Sequence, residues 1–95
     1  MKISKRPKYL KDVQKLTQSH TLSIEQIEEC ERLFEENPQT SSLRYHPIKC
    51  KRDKNRYSIT VPNTQYRILA TIRDGLAQFR TLVNHKSYDR INKNC

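Results

Sequence analysis

There is no tryptophan in these 95 residues, and only one glycine and one methionine. Phenylalanine occurs twice, and the hydrophobic fraction is 34%. So little apolar bulk permits only a thin core, at a length near the small end of what folds alone. A single domain over 1–95 is expected, built as a sheet under one layer of helices; a large internal ligand cavity does not fit. No apolar run approaches the roughly 20 residues that span a bilayer. The basic start Met1-Lys2-Ile3-Ser4-Lys5-Arg6 has no apolar segment behind it, so it is not a signal peptide. A cytoplasmic protein without a membrane partner is the expectation. The chain also lacks any Cys-x-x-Cys pair. Cys30, Cys50 and Cys95 are odd in number and widely spaced, which points to plain thiols rather than a zinc site. No metal or cofactor is expected.

Acidic residues are scarce outside one segment. Residues 1–22 hold six basic side chains and one acidic, residues 23–37 one basic and six acidic, and residues 38–95 twelve basic and three acidic. The total of +9 therefore understates how cationic most of the chain is. Such a field attracts polyanions, nucleic acid above all.

The patterning predicts the order β, α, α, β, β, β, β. Lys2 to Ser4 forms a short strand. Pro7 suits the first turn of a helix ending near Thr17, with Tyr9, Leu10, Val13 and Leu16 at helical spacing. Ser23 with Gln26 has the form of a capping box. It opens a helix whose stripe is Ile24, Ile27, Cys30 and Phe34, whose glutamates, Glu31 included, face water, and which Asn37-Pro38 stops. Residues 43–47 alternate as a short strand, and Pro47 places it at an edge or a strand end. Residues 48–55 form a basic loop. Strands follow at 56–61, 66–73 and 76–83, divided by the turn Pro62-Asn63-Thr64 and by Asp74-Gly75, a strong hairpin signal. From Asn84 the pattern is lost, and 92–95 should fray. The fold class is α+β: two helices on one face of a mostly antiparallel four- to five-stranded sheet.

Strand alternation then fixes a second face. With the apolar set, including Tyr45, Tyr57 and Tyr66, under the helices, the other face carries Arg44, His46, Arg56, Ser58, Thr60, Arg67, Thr71 and Arg73. A cationic, hydroxyl-rich face is a trough for a phosphodiester chain. Cleaving RNA without metal needs a base for the 2′-OH, an acid for the leaving 5′-oxygen, and cations for the charge on the phosphoryl oxygens. Histidine suits both proton roles and arginine the third. His46 and His85 stand at the ends of two strands, with Arg67 on a strand between them. Tyr88, three residues past His85, could stack on a base or donate a hydrogen bond. His20, in the inter-helix loop, is an ordinary surface residue.

Ser-Leu-Arg-Tyr-His-Pro-Ile-Lys (42–49), Arg-Tyr-Ser-Ile-Thr-Val (56–61), Gln-Tyr-Arg-Ile-Leu (65–69) and Asn-His-Lys-Ser-Tyr-Asp (84–89) resemble the RelE/ParE toxin superfamily of bacterial toxin–antitoxin systems. The resemblance covers nearly the whole chain. It implies a small toxin neutralised by an antitoxin protein, as a monomer or a small toxin–antitoxin hetero-oligomer. RelE-like members cut mRNA at the ribosome without metal, whereas ParE-like members inhibit DNA gyrase. Leu43 to His46 looks like the YafQ-type branch of the ribosome-dependent nucleases. RelE itself uses lysines and arginines in place of histidines, so Arg67, His85 and Tyr88 carry over best. The expectation is a ribosome-dependent mRNA endonuclease, with His85 and His46 as proton-transfer partners, Arg67 stabilising the transition state and Tyr88 orienting substrate. Arg56 and Arg80 would assist, Arg80 with the least support from strand geometry, and Lys49, Lys51, Arg52 and Lys54 would hold RNA phosphates. The alternatives are a gyrase inhibitor and a non-catalytic nucleic-acid-binding module.

Overall fold

The structure is a computed structural model and describes residues 1–93. Asn94 and Cys95, where fraying was expected, lie outside the described residues. The elements are β1 (Lys2–Lys5), α1 (Pro7–Gln18), α2 (Ile24–Glu36), a 3-10 turn (Ser41–Leu43), β2 (His46–Pro47), β3 (Arg56–Thr60), β4 (Tyr66–Arg73), β5 (Leu76–Asn84) and α3 (His85–Lys93). They form a five-stranded sheet in the order β1-β5-β4-β3-β2. Only the β1–β5 pair is parallel. A parallel pair requires a crossover, and the α1–α2 hairpin begins it.

Local chemistry accounts for the boundaries. Pro7 opens α1, where its missing N–H costs nothing. The capping box at Ser23 is formed in both directions: the Gln26 N–H donates to Ser23 Oγ at 3.1 Å, and the Ser23 N–H donates to Gln26 Oε1 at 2.9 Å. Gly75 adopts φ +77 in the β4–β5 turn, the conformation that favours glycine there. The core lies between the helices and one sheet face. Phe79 touches both Tyr9 and Phe34 edge-on, with ring centres 5.4 and 5.6 Å apart, and Ile59, Ile68, Ala70 and Leu82 complete the floor. Ile27, Cys30 and Phe34 are buried as their stripe requires, but Leu10 and Ile24 remain exposed.

Several expectations need correction. The predicted strand 43–47 is reduced to His46–Pro47, because Arg44 takes a left-handed conformation (φ 45) and Leu43 turns into the core. The stretch after Asn84 is helical. Asn84 Oδ1 accepts from the Ser87 N–H at 2.9 Å, as an N-cap does, and Tyr88 and Ile91 turn one side of α3 inward. Glu31 does not face water, since it accepts from the Tyr9 hydroxyl at 2.8 Å and pairs with Lys5 at 3.1 Å. Burial drives the Tyr9 hydroxyl's pKa well above its ordinary value, with the Glu31 carboxylate adding to the effect. Cys30 is a plain thiol, pushed up to about 12 chiefly by burial and so unreactive. Cys50 is buried and disulfide-bonded, not a plain thiol. No helix among the described residues is long and apolar enough to cross a membrane.

Asp12 ties α1 to the sheet. Its carboxylate accepts from Thr81 Oγ1 at 2.7 Å and the Leu82 N–H at 3.1 Å, and it pairs with Lys8. Burial alone would raise this carboxyl, but those three hydrogen bonds outweigh it and hold it below its ordinary value. A carboxyl depressed in the folded state adds stability above its unfolded pKa, and that stability is lost as pH falls through the folded pKa. Asp12→Ala should therefore cost about 2 kcal/mol at pH 7, as loss of charged hydrogen bonds does. The difference from wild type should narrow below the ordinary carboxylate range. Urea titrations at neutral and acid pH measure both, and a pH-independent difference would contradict the assignment.

Candidate functional site

On the sheet face away from α1 and α2, cross-strand partners line up in rows. Thr60, Arg67 and Val83 form one, and His46, Ser58 and Leu69 the next, which ends at the bulge where Thr81 turns to Asp12 of α1. Arg56, Thr71 and Gln78 form a third, and Arg73 and Leu76 the last. Alternation therefore placed Arg56, Ser58, Thr60, Arg67, Thr71 and Arg73 on a common face. That face is not bare. α3 packs over one end of it and buries Tyr88, which is 8% exposed.

Three predicted site residues meet at Tyr88. The Arg67 guanidinium carbon lies 4.8 Å from the centre of the Tyr88 ring, a cation–π contact. The Tyr88 hydroxyl lies 3.5 Å from His46 Nε2, at the long limit of a hydrogen bond. On the other side of that ring, His46 Nδ1 lies 2.6 Å from the Arg44 carbonyl oxygen. A carbonyl only accepts, so Nδ1 carries the hydrogen and, in the neutral ring, Nε2 keeps a lone pair. The left-handed turn at Arg44 belongs to the segment that delivers this carbonyl, so the uncommon backbone conformation sits at the site.

Arg67 is unusual in its surroundings. Its Nε is buried with no hydrogen-bond partner, and no carboxylate pairs with it among the described residues. Ser58 Oγ and Thr60 Oγ1, on the same face, are also buried without partners. A groove of about 520 Å³ runs up to Arg67, lined also by Ser41, Ser42, Arg44, Asn63 and Gln65. Donors without acceptors beside an open groove are suited to an acceptor-rich ligand such as phosphate.

His85 stands one helical turn before Tyr88 on α3, exposed, with Nε2 3.3 Å from Asp89 Oδ2. It is not part of the His46–Tyr88–Arg67 contact. Of the predicted RNA-binding residues, Arg52, Arg56 and Arg80 line a second groove, of about 580 Å³, together with Arg73, Thr71 and Gln78. Lys49, Lys51 and Lys54 are exposed on the loop beside it. Arg56 is fixed by Asp53, whose Oδ2 takes bonds from Arg56 Nε at 3.2 Å and from Thr71 Oγ1. Burial tends to raise the Asp53 carboxyl, but the Thr71 hydroxyl, the Asn55 N–H and Arg56 together hold it below its ordinary value. Arg80 owes its place to a β-bulge. Leu69 pairs with Thr81 and Ala70 with Phe79, so Arg80 is the extra residue of β5. Bulges re-aim side chains in this way. Sequence reasoning missed the Arg44 carbonyl and the Asn84 cap, and it set Arg73 on this face without naming it among the RNA-binding residues. Among the described residues no group of three or more His, Cys, Asp or Glu could hold a metal ion.

No protein-family profile matches the chain, and no curated protein sequence does. Solved structures do match. YafQ from E. coli strain BL21(DE3) aligns with a TM-score of 0.71 at 19% identity, over 90% of this chain and 94% of that one. The YafQ chain of the E. coli DinJ–YafQ toxin–antitoxin complex gives 0.71 at 21%, over 90% and 92%. A YoeB/ParE toxin from Agrobacterium tumefaciens gives 0.67 at 14%, over 90% and 99%. At these identities the likeness is one of fold: the chain has the α+β fold of the RelE/YafQ-type toxins.

Proposed function

We propose that this chain is the toxin of a toxin–antitoxin pair and that it cleaves mRNA on the ribosome without a metal ion. The observation that carries this reading is the convergence of an unpaired arginine and a histidine of fixed tautomer on one buried tyrosine. In the reaction, His46 Nε2 takes the proton of the 2′-OH, and the freed oxygen attacks the adjacent phosphorus. The bond to the 5′-oxygen breaks, and that oxygen takes a proton from His85, leaving a 2′,3′-cyclic phosphate and a 5′-hydroxyl. Arg67 neutralises the charge that builds on the phosphoryl oxygens. Tyr88, being buried, is a positioning residue that holds the Arg67 guanidinium and the His46 ring in register.

The fold supports an antitoxin partner, since the E. coli YafQ of the same fold is found in complex with DinJ. The net charge of +9 suits an acidic antitoxin segment. Ribosomes place the activity in the cytoplasm. Primer extension on an mRNA under translation is the test, with expression of the chain induced in growing cells. New 5′ ends at codons in the ribosomal A site, together with growth arrest, are expected. DNA-damage signalling without such ends would establish a gyrase inhibitor instead, and RNA binding without either effect a non-catalytic module.

A further inference from the structure

We propose that the groove lined by Arg52, Arg56, Arg73 and Arg80 is a binding site for a compact oligophosphate, a diphosphate or triphosphate chain, separate from the cluster around Tyr88. The site does not depend on the nuclease reaction. It is cut off from that cluster. Ser58 and Leu69, in the row between, are fully buried, and α3 packs on β4 and β5 there. No polymer lying against Arg67 can continue along this face into the groove, so the anion that suits these four arginines is a different one.

The arginines gather around one spot. Thr71 and Gln78 are cross-strand partners, and Arg56 stands beside Thr71 in the same row. Arg73 lies one row toward the β4–β5 turn, and Arg80 lies two residues past Gln78, at the bulge. Arg73 and Arg80 are thus about 13 Å apart along the sheet, a gap that two long side chains close from either side. Part of the groove is built in advance. Asp53 accepts from Arg56 Nε at 3.2 Å, from Thr71 Oγ1 and from the Asn55 N–H at 2.9 Å, and the Asn55 carbonyl accepts from the Ile72 N–H at 2.9 Å. The loop that carries Arg52 is thereby fastened to β4. Arg52, Arg73 and Arg80 have no carboxylate partner among the described residues.

Four guanidinium groups against one carboxylate leave an excess of three positive charges in a groove of about 580 Å³. A phosphodiester linkage brings a single negative charge, with a whole ribose before the next. A terminal phosphoryl group carries about 1.5 to 2 charges at neutral pH. Adjoining phosphoryl groups share a bridging oxygen, so a di- or triphosphate offsets the excess inside the groove. Guanidinium forks match its oxygens in pairs, which the separate carboxylates of an acidic peptide do at wider spacing.

The test is isothermal titration calorimetry at constant ionic strength. Sodium tripolyphosphate should bind saturably at one site per chain, at least tenfold more tightly than orthophosphate. Arg73→Gln/Arg80→Gln should weaken it at least tenfold, and Arg67→Met should leave it within twofold. Arg73→Glu alone, at an exposed position, carries the same expectation should the double variant fold poorly. ATP and GTP separate the sources of the ligand. Binding no tighter than that of tripolyphosphate assigns the groove to the phosphate chain alone, and tighter binding to a nucleotide whose nucleoside also makes contact. Uptake of several anions per chain without saturation, or unchanged affinity in the arginine variants, overturns the proposal. So does displacement of tripolyphosphate by a 2′-O-methyl hexauridylate at equal concentration of negative charge, which would give the groove to RNA.

Discussion

Replacing Arg67 with methionine is expected to slow mRNA cleavage by about 10²–10³-fold, the usual cost of removing one donor from developing oxyanion charge. Growth arrest on expression should disappear with it. The protein should nevertheless keep its fold. Arg67 Nε is buried without an acceptor, so the native structure already carries the cost of an unsatisfied donor there. Methionine removes that cost and fills similar volume, while giving up a cation–π contact worth about 0.5–2 kcal/mol. The melting temperature should therefore move by only a few degrees, in either direction. Arg67→Lys separates charge from geometry. Lysine keeps the charge without the two-pronged donor, and should recover only part of the rate. Primer-extension yields per ribosome, measured with melting curves on the same preparations, decide the matter. A methionine variant that cuts within threefold of wild type would remove Arg67 from the chemistry.

Most of the face that holds this arginine was legible in the sequence, because period-two alternation needs no tertiary knowledge. Arg56, Ser58, Thr60, Arg67, Thr71 and Arg73 share it for that reason alone. The failures came wherever the backbone leaves a regular period. A bulge adds a residue and changes what parity implies, so Arg80 looked poorly placed when it is aimed into the groove beside Arg56. A left-handed residue at Arg44 ended the alternation that 43–47 displays on paper, and no local signal marks arginine for that conformation. α3 did leave a trace, the Asn84-to-Ser87 cap with Tyr88 and Ile91 three apart, but two apolar positions in a polar stretch are a weak stripe. Glu31 could not have been told from its solvent-facing neighbours, since its partner Tyr9 lies 22 residues away on another helix. The meeting of His46 with Tyr88, 42 residues apart, is of the same kind. Sequence brought both residues under suspicion, and only the fold put them in contact.

That contact makes His46 the sharper test of mechanism. His46→Ala should lower cleavage by about 10²–10⁴-fold, as loss of a general base does. Its ring is exposed at a sheet edge, so stability should change little. The neighbouring substitutions should then rank in a definite order. Tyr88→Phe removes a hydroxyl only 3.5 Å from Nε2 but keeps the ring against Arg67, and a loss below tenfold is expected. Tyr88→Ala removes both, opens a cavity under α3, and should cost far more in rate as well as stability. Arg44→Gly leaves the carbonyl that holds Nδ1 in place and suits the left-handed backbone, so it should stabilise the fold, while taking one cation from the groove beside Arg67. If Tyr88→Phe were as damaging as His46→Ala, the hydroxyl rather than the imidazole would be the group that moves the proton, and the roles assigned here to these two residues would have to be exchanged.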